Sequence, residues 1–241
     1  MPDPEIRSPL PIARSLDAGS ARSERRLLRV QAISGSIFLL FTLVHLANTG
    51  IAALGVEAYS DYQHAARRFY QHPLGELGLM AAPLVVHAGA AIARLRRSGL
   101  RGRNRRLRSR LHRLSGYFLL VVIGGHVAAT RGPSLLAGVD VGFGAISYTF
   151  LWMPYWFYPY YTALALAGLY HGLNGALVAA SVFGLRVPQA LRGGPAFWLA
   201  WAGAAGAVVI GLLAFGGALY AVPDPRANDY ARFMIELTGG R

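Results

Sequence analysis

The chain has 241 residues, 54% of them hydrophobic, a positive mean hydropathy of +0.37 and no cysteine. The lack of cysteine excludes c-type haem attachment, thiolate metal sites and any iron–sulfur cluster held by this chain. The formal net charge of +13 is that of many nucleic-acid binders, yet the charge lies between long apolar blocks rather than along one face, which argues for a membrane and against nucleic acid.

Blocks of about 20 apolar residues match the length a helix needs to cross a bilayer. Five are predicted: 31–54, 74–93, 114–130, 157–182 and 196–222. The expected fold class is an all-α integral membrane protein, because a spanning segment must satisfy its backbone locally. The domains are a polar arm over 1–30, a five-span unit over 31–222 and a polar tail over 223–241. No removable signal peptide is read in the arm, and a short helix is expected near Ser23–Arg29.

Every basic residue is an arginine. Six arginines precede the first span, ten lie in 94–113 and two in 183–195, against six on the other side. The positive-inside rule then predicts a cytoplasmic N-terminus and an external C-terminus. The basic loop has two readings, contact with anionic lipid or docking of a soluble partner.

The first span carries His45. The following segment, GVEAYSDYQHAARRFYQHP, is read as an outer loop with Tyr59, Tyr62, Phe69 and Tyr70 at the interface and His64 and His72 solvated or interfacial. Glu57 is the only acidic residue close to the outer end of the first span. The second span carries His87, with Pro83 four residues earlier to kink the helix or free a carbonyl. Arg94 lies seven residues on, about 10 Å away on the same face, where it snorkels or pairs with a buried anion. The third span carries His126. Ser115-Gly116 precedes it by eleven residues, as Ser34-Gly35 precedes His45.

Between Tyr148 and Tyr161, nine of fourteen residues are aromatic, and this piece is expected along the outer surface before Pro159 starts the fourth span. That span carries His171 and Asn174. The fifth has no ionisable group, and Gly203, Ala207 and Gly211 form a small-residue stripe for close helix packing.

Four histidines thus fall in four spans. Intramembrane ionisable residues are costly and default to function. Four neutral imidazoles on four helices make two bis-histidine haems, with Ala47, Gly89, Gly124, Gly125, Gly172 and Gly175 leaving room for flat rings. The bland alternative is four packing histidines bonded to backbone or hydroxyl groups. His45 and His126 lie about 21 and 20 Å from the inner ends of their spans. They are expected to share the outer haem iron, leaving His87 and His171 to the inner one.

The pieces LVHLANTG, GVEAYSDYQH, APLVVHAGAAI, RLHRLSGYFLLVVIGGHVAATR and YHGLNGALVAASVFGL resemble the dihaem cytochrome b anchors of succinate:menaquinone oxidoreductases and fumarate reductases, over about 30–185. The resemblance implies a complex II membrane anchor in the inner (cytoplasmic) membrane of a bacterium. It implies two b haems, proximal on His87 and His171 and distal on His45 and His126, and a menaquinone site. The implied partners are an FAD-containing flavoprotein and an iron–sulfur subunit, docked on the cytoplasmic face. Glu57 is the candidate proton acceptor at a distal quinone site. Arg113 and Ser115, with His112, resemble a quinone-pocket segment of related single-haem enzymes and mark the rival, proximal site. Leu169 stands where some members have a glutamate tied to a proton path, a departure from the pattern. Two other classes stay open: a dihaem subunit of a hydrogenase, formate dehydrogenase or ferric reductase, and a non-redox membrane protein.

Overall fold

The computed structural model describes residues 11–99, 106–192 and 194–239. The first ten residues of the arm and Arg101, Arg103 and Arg105 of the basic loop lie outside them. Every regular element among the described residues is helical. Helix α1 (Pro11–Ile51) ends in a short 3-10 turn, Ala52–Leu54. Then follow α2 (Val56–Tyr70), α3 (Pro73–Gly75), a π segment (Glu76–Ala81) and α4 (Ala82–Ser98). Helix α5 (Leu107–Ala137) leads to α6 (Phe143–Trp152) and α7 (Pro154–Val182). The chain closes with α8 (Gln189–Arg192), α9 (Pro195–Phe215) and α10 (Asp229–Leu237).

Five helical stretches are long and apolar enough to cross a membrane: Gly19–Leu54, Pro73–Arg97, Leu107–Ala137, Pro154–Val182 and Pro195–Phe215. Each overlaps one predicted span, so the chain is a multi-pass membrane protein. Two helices overrun their spans. At 1.5 Å per residue α1 is about 60 Å long, twice the hydrocarbon thickness, and α5 is about 46 Å. The excess of α5 is shared by both its ends, and that of α1 lies at the arginine-rich end. There the overhang of α1 lies against the end of α4: Arg94 pairs with Glu24 at 2.7 Å and donates to the Gln31 side chain at 2.7 Å, and Arg97 donates to Ser23 at 2.8 Å. The helix expected near Ser23–Arg29 is therefore a part of α1, not a separate piece.

The main core lies between α1, α7 and α9. Leu46, Ala165, Leu169, Val208, Leu212 and Phe215 meet there. Helix α9 approaches α1 so closely that a Cβ on Gly211 would stand 1.8 Å from the Thr49 carbonyl oxygen, and one on Gly50 3.6 Å from that of Ala207. The small-residue stripe thus works through Gly211 and Ala207. Gly203 faces open space. Helix α4 packs on α1 and α5 on α7, outside this core.

Three expectations change. The segment after the first span is helix α2, and Tyr59 is buried between Phe143 and Phe215 at 5.5 and 5.1 Å, not laid on an interface. The aromatic stretch forms α6, whose Phe143, Tyr148 and Phe150 are buried against α7, α9 and α10. Pro159 lies inside α7, which starts at Pro154; a proline suits that first position because its missing N–H has no helical partner there. The polar tail folds as α10, capped by the Asn228 side chain at Ala231 N and packed on α6 through Tyr230 and Ala231. Pro83 behaves as expected. It has no N–H for the Leu79 carbonyl, and the backbone just before it widens into the π segment.

Gly211→Ala should destabilise the detergent-solubilised protein by about 1–3 kcal/mol, because α9 must move off α1. Gly203→Ala should stay within about 0.5 kcal/mol of the parent. Thermal unfolding midpoints check this, and equal midpoints would refute the close approach.

Candidate functional site

The four intramembrane histidines gather in two facing pairs. The rings of His45 (α1) and His126 (α5) have centroids 6.1 Å apart at 66°. Those of His87 (α4) and His171 (α7) are 6.1 Å apart at 89°. A metal held by two imidazoles at about 2.0–2.1 Å from each nitrogen, with each ring centre about 1.1 Å behind, separates the centroids by about 6.3 Å. Both pairs have that spacing. Among the described residues no group of three or more His, Asp or Glu side chains gathers as a ligand set, so each metal reading rests on a pair.

The pairs lie at two levels. His87 rests against Gly35 of α1 and His171 against Gly116 of α5. His45 and His126 are each ten residues further along those helices, about 15 Å. The lower pair is nearer the arginine-rich end.

The lower pair is held by backbone. His87 Nδ1–H donates to the Gln31 carbonyl at 3.0 Å, and His171 Nδ1–H to the His112 carbonyl at 3.1 Å. A carbonyl can only accept, so both rings carry the proton on Nδ1 and present a bare Nε2, the form that ligates a metal. His112 also stacks flat on His171, with centroids 4.1 Å apart and planes at 6°, and its own Nδ1 is buried without a partner. Ser115 donates to the His112 carbonyl at 3.1 Å and lies 3.4 Å from His171 Nδ1. It is therefore engaged with the fourth histidine. Arg113 is half-buried two residues before it. Asn174, one turn beyond His171, is buried and accepts from Arg108, whose guanidinium also lies 4.0 Å over the Phe197 ring.

The upper pair is framed by aromatics. Phe41 stacks on His45 at 5.6 Å and Tyr161 meets His126 edge-on at 6.5 Å. Tyr70 packs on Phe41 at 5.2 Å, and burial raises its phenol above the ordinary value, so it stays protonated at neutral pH.

Of the glycines expected to leave room for flat rings, a Cβ on Gly89, Gly124 or Gly125 would meet nothing within 4 Å, whereas one on Gly172 would stand 2.5 Å from Leu39 and one on Gly175 3.5 Å from His112, because α7 packs closely on α1 and α5 there. Helix α5 buries only Ser115 and Pro133 along 31 residues. The donor set and the pair spacing fit a haem at each level.

The remaining predicted residues fall elsewhere. Arg94 pairs with Glu24 and Gln31 rather than standing as a free cation below His87. Glu57 is exposed in the first turn of α2, where a carboxylate also suits the helix dipole. Leu169 is buried in the main core. Sequence reasoning missed Glu76 of the π segment, which forms a two-pronged ion pair with Arg131 of α5 at 2.6 and 2.8 Å. This pair ties α4's approach to α5 beyond the His126 level. Nothing in the spacing of the two residues announces it.

This chain matches no family model, no curated protein and no solved structure.

Glu76→Gln and Arg131→Gln should each lower stability by about 1–3 kcal/mol, the size of a charge-assisted hydrogen-bonded contact. The double variant should be no worse than the weaker single, since both remove one interaction. Additive losses in thermal midpoint would show that the two side chains act separately.

Proposed function

We propose that this chain is the membrane anchor and cytochrome b subunit of a succinate dehydrogenase or fumarate reductase, carrying electrons between an iron–sulfur subunit and membrane quinone. The observation that carries the reading is the pair of facing imidazole sets, each at bis-ligand spacing, at two levels of one bundle. His87 and His171 would hold the proximal haem b, and His45 and His126 the distal one. A haem at each level supplies a one-electron carrier.

The chain's own residues prepare both sites. Gln31 and His112 carbonyls hold the lower imidazoles in the ligating tautomer. Phe41 and Tyr161 flank the upper ones. Neutral imidazole as ligand means that no side-chain charge need be buried among the spans.

The arginine-rich end, with the overhangs of α1 and α5, would face the cytoplasm of a bacterium and receive the FAD-containing flavoprotein and iron–sulfur subunits. Arg94 and Arg97 brace α1 against α4 there, which makes the docking end stiff. At the opposite end Glu76 is tied to Arg131 and Asp140 to Arg67, whereas Glu57 is exposed to solvent, so Glu57 is the carboxylate we assign to proton uptake from menaquinol. The proximal alternative at Arg113 loses support, because Ser115 is spent on His112 and His171.

In membranes containing the assembled complex, succinate should reduce the b-type α band and fumarate should reoxidise it. His87→Ala and His171→Ala should remove the same half of the absorbance, and His45→Ala and His126→Ala the other half. Reduction by dithionite but not by succinate would move the chain to another dihaem oxidoreductase. No b-type absorbance would remove the cytochrome reading.

A further inference from the structure

The serine-glycine pairs at the start of the first and third spans have no part in the ligand assignment, yet the structure puts both to the same use. On α1 the Gln31 carbonyl accepts from His87 Nδ1–H at 3.0 Å, while Ser34 Oγ donates to the Val30 carbonyl at 2.7 Å and lies 3.4 Å from the Gln31 oxygen. On α5 the His112 carbonyl accepts from His171 Nδ1–H at 3.1 Å, and Ser115 Oγ from 3.1 Å. A glycine follows four residues after each carbonyl. A Cβ on Gly35 would stand 2.7 Å from His87 Nδ1 and Cε1, and one on Gly116 2.9 Å from His171 Cε1 and 3.3 Å from Nδ1. The same two ring atoms are touched on both sides.

Helix geometry explains the spacing. Each Cα–Cβ bond tilts toward the helix N-terminus, so the side chain at one position overhangs the carbonyl four residues earlier. That carbonyl already accepts the N–H of the overhanging residue but keeps a second lone pair. An imidazole from a neighbouring helix can reach that lone pair only if the overhang is missing. Glycine removes it.

We propose that Gln31/Ser34/Gly35 and His112/Ser115/Gly116 are two copies of one imidazole cradle, and that Gly35 and Gly116 are positioning residues that fix the proton on Nδ1 and the ring plane of His87 and His171. Both cradles recur at an offset of 81 residues, as do His45 and His126. Helices α1 and α4 thus form one half-site and α5 and α7 the other. The lower pair is locked near-perpendicular at 89° by two backbone bonds. No equivalent carbonyl bond holds the rings of the upper pair among the described residues. The geometry stands without the cofactor. Its consequence, a lower haem with a fixed ligand orientation, rests on the cytochrome reading.

The test is nitrogen-15 histidine NMR on the dithionite-reduced protein in micelles, where a bis-imidazole ferrous haem is diamagnetic, or on the haem-free protein if the purified chain carries none. Two imidazole Nδ1–H protons should exchange slowly with water. Gly35→Ala should abolish the slow exchange of one and Gly116→Ala that of the other. In the oxidised form each variant should shift the low-spin electron paramagnetic resonance signal of one haem and leave the other unchanged. Gly206→Ala, where a Cβ meets nothing within 4 Å, should change neither. If Gly35→Ala does not accumulate, Gly116→Ala carries the test, since its Cβ would stand 2.9 and 3.3 Å from the ring against 2.7 Å for Gly35. Slow Nδ1–H protons that survive in the glycine variants, or that are absent from the parent, would overturn the cradle. A parent with both slow protons and no haem would keep the cradle and remove the cytochrome reading.

Discussion

A polar ring inside a bilayer must spend its hydrogen-bonding capacity within the protein, and the organisation of this bundle follows from where four imidazoles spend theirs. Leaving such a group unsatisfied in an apolar medium costs several kcal/mol, about as much as a folded domain can spare. For His87 and His171 one nitrogen is satisfied by a backbone carbonyl on a neighbouring helix. The other nitrogen of each ring is left bare, and the two rings stand 6.1 Å apart. Under the proposed function a metal centre would take the electron pairs of both.

The distribution of packing agrees with this. The close-packed core is confined to α1, α7 and α9, with α6 capping it, and Gly211 lets α9 approach α1 directly. Helices α4 and α5 each lean on one member of that core and bury little of their own surface. A bundle whose two outer helices carried only packing histidines would close onto them. Here Gly89 near His87 and Gly124 and Gly125 near His126 face open space, whereas Gly172 beside His171 lies against Leu39, and a salt bridge between Glu76 and Arg131 joins the outer helices where side-chain packing does not. The structure is stiff where it needs to hold a frame and roomy between the histidines.

Much of this was legible in the chain itself. The spans were visible because charge is nearly absent from them, and the pairing of His45 with His126 followed from equal depth on two helices running the same way. The repeated Ser-Gly was visible as spacing, but its purpose was not, because it serves a ring contributed by a residue more than fifty positions away. The folding of α2, α6 and α10 was less legible. The aromatic residues of α2 and of 148–161 read as interfacial and α10 as a polar tail, and only the arrangement in three dimensions shows Tyr59 stacked between Phe143 of α6 and Phe215 of α9. Arg94 was expected to snorkel or to pair with a buried anion. The length of α1 was the missing information, for only a helix that overruns the membrane brings Glu24 within its reach.

The central claim is that the two imidazole pairs hold two metal-centred macrocycles. The most direct measurement is pyridine haemochrome quantitation, against protein determined by amino-acid analysis, on the purified chain or its complex. The account predicts about two protohaems per chain. One or none would contradict it, since each pair has the same spacing and the same claim to an iron.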